Sequence, residues 1–205
     1  VLSTAKISFS TYTPESNQQK IEFFRPVIDK LIEKGADSAF VYSLITHPTV
    51  EFNEKYAKIN VTGYLKKPDY SKHYNEFSVN KTRKFLRENI NILHAAEDKY
   101  SVPAEVIASV LWVETRHGGY LGSHHIPTVF LSTAMAGQQE MIDMNKKELR
   151  KGFDGSKSKL KRLENKIEAR AKKKSKWALG ELLALEKISR TSPVPVVELE
   201  GSWAG

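Results

Sequence analysis

The chain of 205 residues contains no cysteine. That excludes a disulfide framework, thiolate catalysis and cysteine-ligated zinc, and it does not fix the compartment, since a chain without thiols is indifferent to redox state. No apolar run approaches the roughly 18 residues of a membrane-spanning helix, so an integral membrane protein is not expected. Val1-Leu2-Ser3-Thr4 carries no initiator Met and none of the basic, apolar and small-residue regions of a signal peptide. A processed or trimmed chain has that appearance. No Gly-x-Ser-x-Gly elbow and no Gly-rich phosphate loop occurs, nor does any internal repeat or heptad array.

What is present looks globular. Hydrophobic residues make up 40% and charged residues 27%, which excludes wholesale disorder and suits one domain, or one with a small appendage. The net charge of +8 is not spread evenly. Residues 146–176 hold 14 of the 32 Lys and Arg but 4 of the 24 Asp and Glu, leaving the rest of the chain at −2. This segment reads as a helix with a narrow apolar seam at Leu160, Leu163, Ile167 and Ala171. Glu168 precedes Lys172 by four residues, a favourable helical pair. A solvated, protruding helical arm is the plain reading; a polyanion contact is the sharper one. The segment lacks interleaved aromatics, which argues against single-stranded nucleic acid.

The pattern is helical nearly throughout. A helix is predicted over 16–34 with Gly35 as its stop and Pro26 inside, kinking it or delaying its start. Asp37 caps a second helix carrying Phe40, Val41, Leu44 and Ile45, ended by His47-Pro48. Residues 49–76 read as irregular, with a short strand over 59–65. One long helix is predicted over 78–100, and further helices over 128–145 and 176–189. Residues 191–195 form an extended connector. Met135, Met141 and Met144 read as packing.

The helix after Tyr100 carries the chemistry. Ser101 is its expected N-cap, Val106, Ile107, Val110 and Leu111 its apolar stripe, and Gly118-Gly119 its stop. Glu114 stands at Val110+4 and Ile107+7, so helical spacing sets it on the apolar face. It also lies in the last turn, at the negative end of the helix dipole. Both conditions would raise a carboxyl pKa, as a glycosidic general acid requires. The alternative is a buried Glu paired with Arg116. Gly118, Gly119 and Gly122 suit a tight exit and a close approach of backbone to ligand.

These residues resemble a family. Tyr100-Ser101-Val102-Pro103-Ala104-Glu105-Val106-Ile107, then Val113-Glu114-Thr115-Arg116-His117-Gly118 and Gly122, are similar to the catalytic helix of B-type lytic murein transglycosylases. Gly201-Ser202-Trp203-Ala204-Gly205 resembles the start of that family's second signature, and the chain is expected to be incomplete after Gly205. Looser similarity reaches back to about Phe23, including Asp69-Tyr70-Ser71 and Tyr74. The basic segment is a departure from the family.

The resemblance implies a mainly α fold: a lysozyme-like helical domain with a protruding basic helical arm. Residues 1–145 would hold the N-terminal and catalytic helices, 146–176 the basic insertion, and 177–205 the return helix and second motif. The implied activity is non-hydrolytic cleavage of the β-1,4 bond from N-acetylmuramic acid to N-acetylglucosamine in peptidoglycan, leaving a 1,6-anhydro sugar. Glu114 is the implied sole acid and base, with Ser202 in polar contact with that carboxylate or the substrate acetamido group. Tyr120 and Trp203 are the candidates for binding sugar rings, with Phe130, Tyr70 and Tyr74 as further stacking candidates.

No cofactor is expected. A metal at Glu114 with His117, His124 and His125 is set aside, because His117 adjoins a helix C-terminus and the other two are adjacent, with no helical ligand pair. The expected partners are peptidoglycan strands and, through 146–176, an anionic envelope polymer; nucleic acid is disfavoured and a monomer expected. The expected location is the periplasm or cell envelope, with room for a membrane anchor before Val1. Two rivals stand: a non-catalytic wall-binding or nucleic-acid-binding helical module, and a lysozyme-type hydrolase, for which no second carboxylate is identifiable.

Overall fold

The computed structural model describes residues 16–59, 61 and 74–202. The chain is mainly helical and forms two compact units, one from Val1–Gly63 with Ser123–Gly205, the other from Tyr64–Gly122. The short strand expected over 59–65 falls largely outside the described residues.

The first unit opens with α1 (Asn17–Glu33). Ser16 caps it, its Oγ accepting from the Gln19 N–H at 3.3 Å. Phe23, Phe24, Val27, Ile28 and Leu31 recur at helical spacing and are buried. The helix runs unbroken through Pro26 and ends where Gly35 takes φ +89°, a left-handed conformation that glycine adopts without steric cost. Asp37 caps α2 (Ser38–Thr46), accepting from the Phe40 N–H at 2.8 Å, and α3 (Glu54–Ala57) is a single turn.

The helix predicted over 128–145 is two helices, α7 (Ile126–Met135) and α8 (Gln139–Lys151). All ten residues of α7 are buried, so it has no wet face. It breaks at residues 136–138, where Gly137 meets α9 (Lys157–Thr191). A Cβ on Gly137 would stand 2.8 Å from the Ser175 Cβ, too close to fit without movement. Ser175 Oγ–H donates to the Ala134 carbonyl at 2.6 Å at the same contact.

The hydroxyls of α7 serve the irregular segment 49–59. Thr128 Oγ1 accepts from the Glu51 N–H (3.2 Å), Ser132 Oγ accepts from the Asn53 N–H (2.9 Å), and Thr133 Oγ1–H reaches the Tyr56 carbonyl (3.4 Å). Asn145 of α8 continues the series. It accepts from the Ile59 N–H at 2.7 Å and donates to the Ala57 carbonyl at 3.2 Å.

α8 and α9 form an antiparallel pair that contains the basic segment. Its expected seam is real: Leu163, Ile167 and Ala171 are buried in the core of the first unit. α9 is continuous, so the helix expected over 176–189 is its second half. After Thr191 the chain extends, makes a 3₁₀ turn at Val196–Glu198, and forms β2 (Glu200–Gly201). That strand pairs antiparallel with β1 (His124–His125).

In the second unit the single helix expected over 78–100 is α4 (Glu76–Glu88) and α5 (Ile90–Tyr100). The break is at Asn89, whose main-chain and side-chain nitrogens both donate to the Phe85 carbonyl. Such local side-chain bonding competes with the regular helix. Then comes α6 (Ala104–Thr115). Ser101 is not its N-cap. It is the C-cap of α5, left-handed at φ 54°, and Pro103 takes the N-cap position of α6. The Ala104 N–H is met instead by Glu97 Oε2 at 3.3 Å.

Two predictions follow from the polar contacts of the first unit. Asn145→Ala would orphan a buried N–H and a buried carbonyl, and should cost about 2–3 kcal/mol in urea unfolding. The Glu168 carboxyl is held down to about 2 by hydrogen bonds from Lys146 and Lys172 and by their charges. A depressed carboxylate contributes stability that is complete above its unfolded value of 4.5 and lost as pH falls toward 2. The melting temperature of Lys146→Met/Lys172→Met should therefore lie below that of the unsubstituted protein near neutral pH, and the two should converge on acidification through that window.

Candidate functional site

The second unit packs α6 through its small residues. Ala104 and Ala108 are buried against Leu93, Phe85 and Leu86, and Trp112 is buried one turn further on. The stripe expected to be inward is turned the other way. Three of its four residues, Val106, Val110 and Leu111, are exposed on the surface of this unit, as is Val113, while Ile107 is half-buried against the alanine cluster. α6 has apolar residues on both sides, and the side with alanines lets α4 and α5 approach closely.

Glu114 follows from that rotation. It is exposed, not buried, and borders a shallow groove with Glu105, Val106, Ser109, Val110 and Val113. The desolvation expected from helical spacing is absent, because the apolar face it joins is the unpacked one. Arg116 is not its partner: the guanidinium carbon lies 4.6 Å from the centroid of the Trp112 ring. Adjoining this groove and sharing Glu105, Ser109 and Val113 with it, a cavity of about 340 Å³ lies between α6 and α4, lined also by Tyr74, Ser78, Thr82, Arg83, Leu86 and Trp112.

The end of α6 is fixed tightly. The helix stops at Thr115, before the glycines, and Arg116 (φ 54°), His117 (φ 57°) and Gly118 (φ 83°) are left-handed in succession. Two consecutive non-glycine residues in that region are unusual and cost energy. The compensation is local. The Arg116 and His117 N–H groups donate to the Trp112 and Leu111 carbonyls, and Gly118 N–H donates to Thr115 Oγ1. The His117 ring tucks back under the helix. Its Nε2 lies 2.9 Å from the Ala108 carbonyl, so Nε2 carries the proton, and it stacks on Phe85 at 3.9 Å between centroids. Tyr120 follows this turn, exposed, its N–H bonded to the Thr115 carbonyl at 2.8 Å.

In the first unit, Ser202 is exposed and directly follows β2. Trp203 and Tyr70 lie outside the described residues. Phe130 is not available for a sugar: it is buried, edge-on to Trp177 at 5.5 Å. Tyr74, in the second unit, is exposed.

Sequence reasoning missed the histidines that hold β1 and β2. His125 Nε2 lies 2.7 Å from the Val197 carbonyl, which can only accept, so that nitrogen carries the proton. Nδ1 then accepts from Thr128 Oγ1 at 2.9 Å, the same hydroxyl that receives the Glu51 N–H. Tyr56 OH and His124 Nδ1 are hydrogen-bonded at 2.7 Å; burial first, then the charge of Glu51, push the Tyr56 pKa up. The only signal in the sequence was the adjacency of the two histidines, which reads more naturally as a failed metal pair.

The His125 contacts give a paired test. His125→Gln keeps a donor able to reach Val197, whereas His125→Asn keeps only the inner polar position. Amide exchange at 199–202 should quicken roughly tenfold in the Asn variant, the equivalent of one net hydrogen bond, and stay near the original in the Gln variant.

The sequence matches the family model described as Transglycosylase SLT domain over residues 27–205. No curated protein and no solved structure matches it. The matched region runs from within α1 through both signature segments to Gly205, and the chain therefore belongs to the transglycosylase SLT domain family, whose general activity is lytic transglycosylation of peptidoglycan.

Proposed function

We propose that this chain is a B-type lytic murein transglycosylase acting outside the cytoplasm, with Glu114 as its single acid and base. The observation that carries the reading is the setting of Glu114: the last turn of α6, beside an open groove, followed by two strained left-handed residues pinned by His117. Strain of that kind persists where the surroundings over-determine a conformation, and it gathers at functional sites. Family membership supplies the substrate class.

The chemistry balances with one carboxyl group. Glu114 donates its proton to the glycosidic oxygen as the bond from C1 of the muramyl residue breaks, and the N-acetylglucosamine end leaves with a free 4-hydroxyl. The cationic centre at C1 is stabilised by the substrate's 2-acetamido group. The Glu114 carboxylate then takes the proton of the muramyl 6-hydroxyl as O6 bonds to C1, which restores the acid. No water is consumed. The tethered nucleophile makes a second carboxylate unnecessary, in contrast to the two-carboxylate plan of hydrolytic glycosidases. Ser202, Tyr120 and Trp203 bind the substrate, Tyr120 and Trp203 through its sugar rings. The basic segment 146–176 holds the protein to an anionic polymer of the envelope. Among the described residues no helix is long and apolar enough to cross a membrane.

Mass spectrometry of products from purified peptidoglycan tests the reading. Soluble fragments about 18 Da lighter than hydrolysed muropeptides, the mass of one water, should appear, and Glu114→Gln should reduce their rate by at least about 10²-fold. Products with reducing ends would make the protein a hydrolase. Anhydro products at an undiminished rate from Glu114→Gln would remove Glu114 from the chemistry.

A further inference from the structure

The cavity between α4 and α6 bears two opposite charges that do not pair. Val79, Arg83 and Leu86 of α4 recur at helical spacing and line it, as do Glu105, Ser109 and Val113 of α6. Arg83 and Glu105 are both exposed, and neither forms an ion pair among the described residues. The first-turn position of Glu105 suits the helix dipole, but that accounts for the acid alone and not for the arginine on the facing helix. Trp112 forms part of the wall and is 7% exposed, yet its Nε1–H has no acceptor among the described residues. A buried donor without a partner is costly, and an acceptor on a ligand would remove that cost. At about 340 Å³ the cavity falls within the range of small-ligand pockets, with Tyr74, Val79, Leu86 and Val113 as apolar walls. This lining matches an extended ligand that carries a carboxylate, an amine and carbonyl groups on a small apolar frame, which is the chemistry of a short peptide.

We propose that this cavity holds the stem peptide of the muramyl residue at which Glu114 acts, with Arg83 taking a peptide carboxylate, Glu105 the amine of a diamino acid, and the Trp112 indole N–H a peptide carbonyl. The inference rests on the reading of peptidoglycan as substrate and adds which part of it the second unit reads beside the sugars. The glycan backbone is neutral, so unpaired charges beside the groove of Glu114 have nothing to meet on it; the charges of peptidoglycan are on its stem peptides. The cavity and the groove adjoin, sharing Glu105, Ser109 and Val113. The reach fits as well. Glu105 and Glu114 are nine residues apart in α6, about 13.5 Å along the helix, and about four residues of extended peptide cover that distance. A purely anionic ligand fits less well, since Glu105 would oppose it, and a purely apolar one would leave the indole N–H unmet. Strands that bear peptides are then cut in preference to strands stripped of them.

The test is calorimetric titration of the chain with a synthetic N-lactyl tetrapeptide carrying a diamino acid at its third position. Arg83→Gln and Glu105→Gln each remove one charge and should each lower affinity about fivefold or more. Lys84→Gln/Glu88→Gln removes an exposed ion pair of α4 that does not line the cavity, and should stay within about twofold of the original. The decisive reading is crossed. Amidating the peptide carboxyls should weaken binding to the original protein about fivefold or more and leave binding to Arg83→Gln unchanged, and acetylating the amine should stand in the same relation to Glu105→Gln. The indole N–H resonance of Trp112, assigned with Trp112→Phe, should shift as peptide is added. Matched melting temperatures would verify that the charge variants fold. No measurable binding, equal affinity in all variants, losses that do not cross with the peptide modifications, or an unmoved Trp112 resonance would each overturn the proposal. Product formation is read separately, from peptide-bearing and peptide-stripped strands. Crossed binding without anhydro products would retire the enzymatic reading and leave this one standing, and anhydro products at equal rates from both strands, without crossed binding, would do the reverse.

Discussion

The first unit depends on a helix that has no wet side. Because α7 is buried all round, every polar atom it carries must find a protein partner, and its neighbours must tolerate close approach. Both demands are met by the same residues. Thr128, Ser132 and Thr133 turn their hydroxyls to the backbone of 51–56, which has little secondary structure to satisfy it. Gly137 and Ser175 let α9 come against the end of α7, with the Ser175 hydroxyl capping a carbonyl there. The irregular segment is thus held by side chains where a sheet would hold it by main chain. The same economy extends to β1, where Thr128 bonds both the Glu51 N–H and His125, so the fixing of segment 49–59 and the fixing of β2 share one hydroxyl.

What the sequence made legible follows from how local each signal is. Ser16, Gly35 and Asp37 act on residues within three or four positions of themselves, and the helix boundaries they imply match closely. The apolar seam of the basic segment was readable for the same reason: three buried positions four residues apart need no knowledge of what they pack against. Long-range constraints were not readable. The break between α7 and α8 exists because another helix passes Gly137, and Asn89 interrupts α4 and α5 by a bond whose alternative, an unbroken helix, is locally just as plausible. The polar residues of α7 and α8 that hold 51–59 come from 75 to 90 positions away.

The rotation of α6 is the instructive failure. A helix with apolar residues on two sides gives no unique answer to which side is inward, and the larger side chains drew the expectation toward Val106, Val110 and Leu111. Packing chose Ala104, Ala108 and Trp112, because burial depends on how closely a neighbour can approach as well as on apolar area. Glu114 accordingly sits on the open side. For a group proposed to meet a polymer, that is the more serviceable outcome: an acid walled into a core could not reach a glycosidic oxygen. The water-poor setting that acid catalysis favours would then be supplied by the sugar rings that cover the groove.

That shift places more weight on the turn after Glu114. An exposed carboxylate at a frayed helix end would sample many positions, and misplacement by about 1 Å can cost two orders of magnitude in rate. Here the end does not fray. Arg116 and His117 are forced into left-handed backbone, His117 reaches back to the carbonyl of Ala108, and its ring lies flat on Phe85 of a different helix. The strain of the turn is balanced by contacts to the body of the unit, so the last turn of α6 cannot unwind without breaking them. Glycine at 116 and 117 would remove the strain, but it would also remove the imidazole that ties the turn down and the guanidinium over Trp112. The sequence Glu-Thr-Arg-His-Gly is best understood as one carboxylate and the four residues that stop its helix from moving.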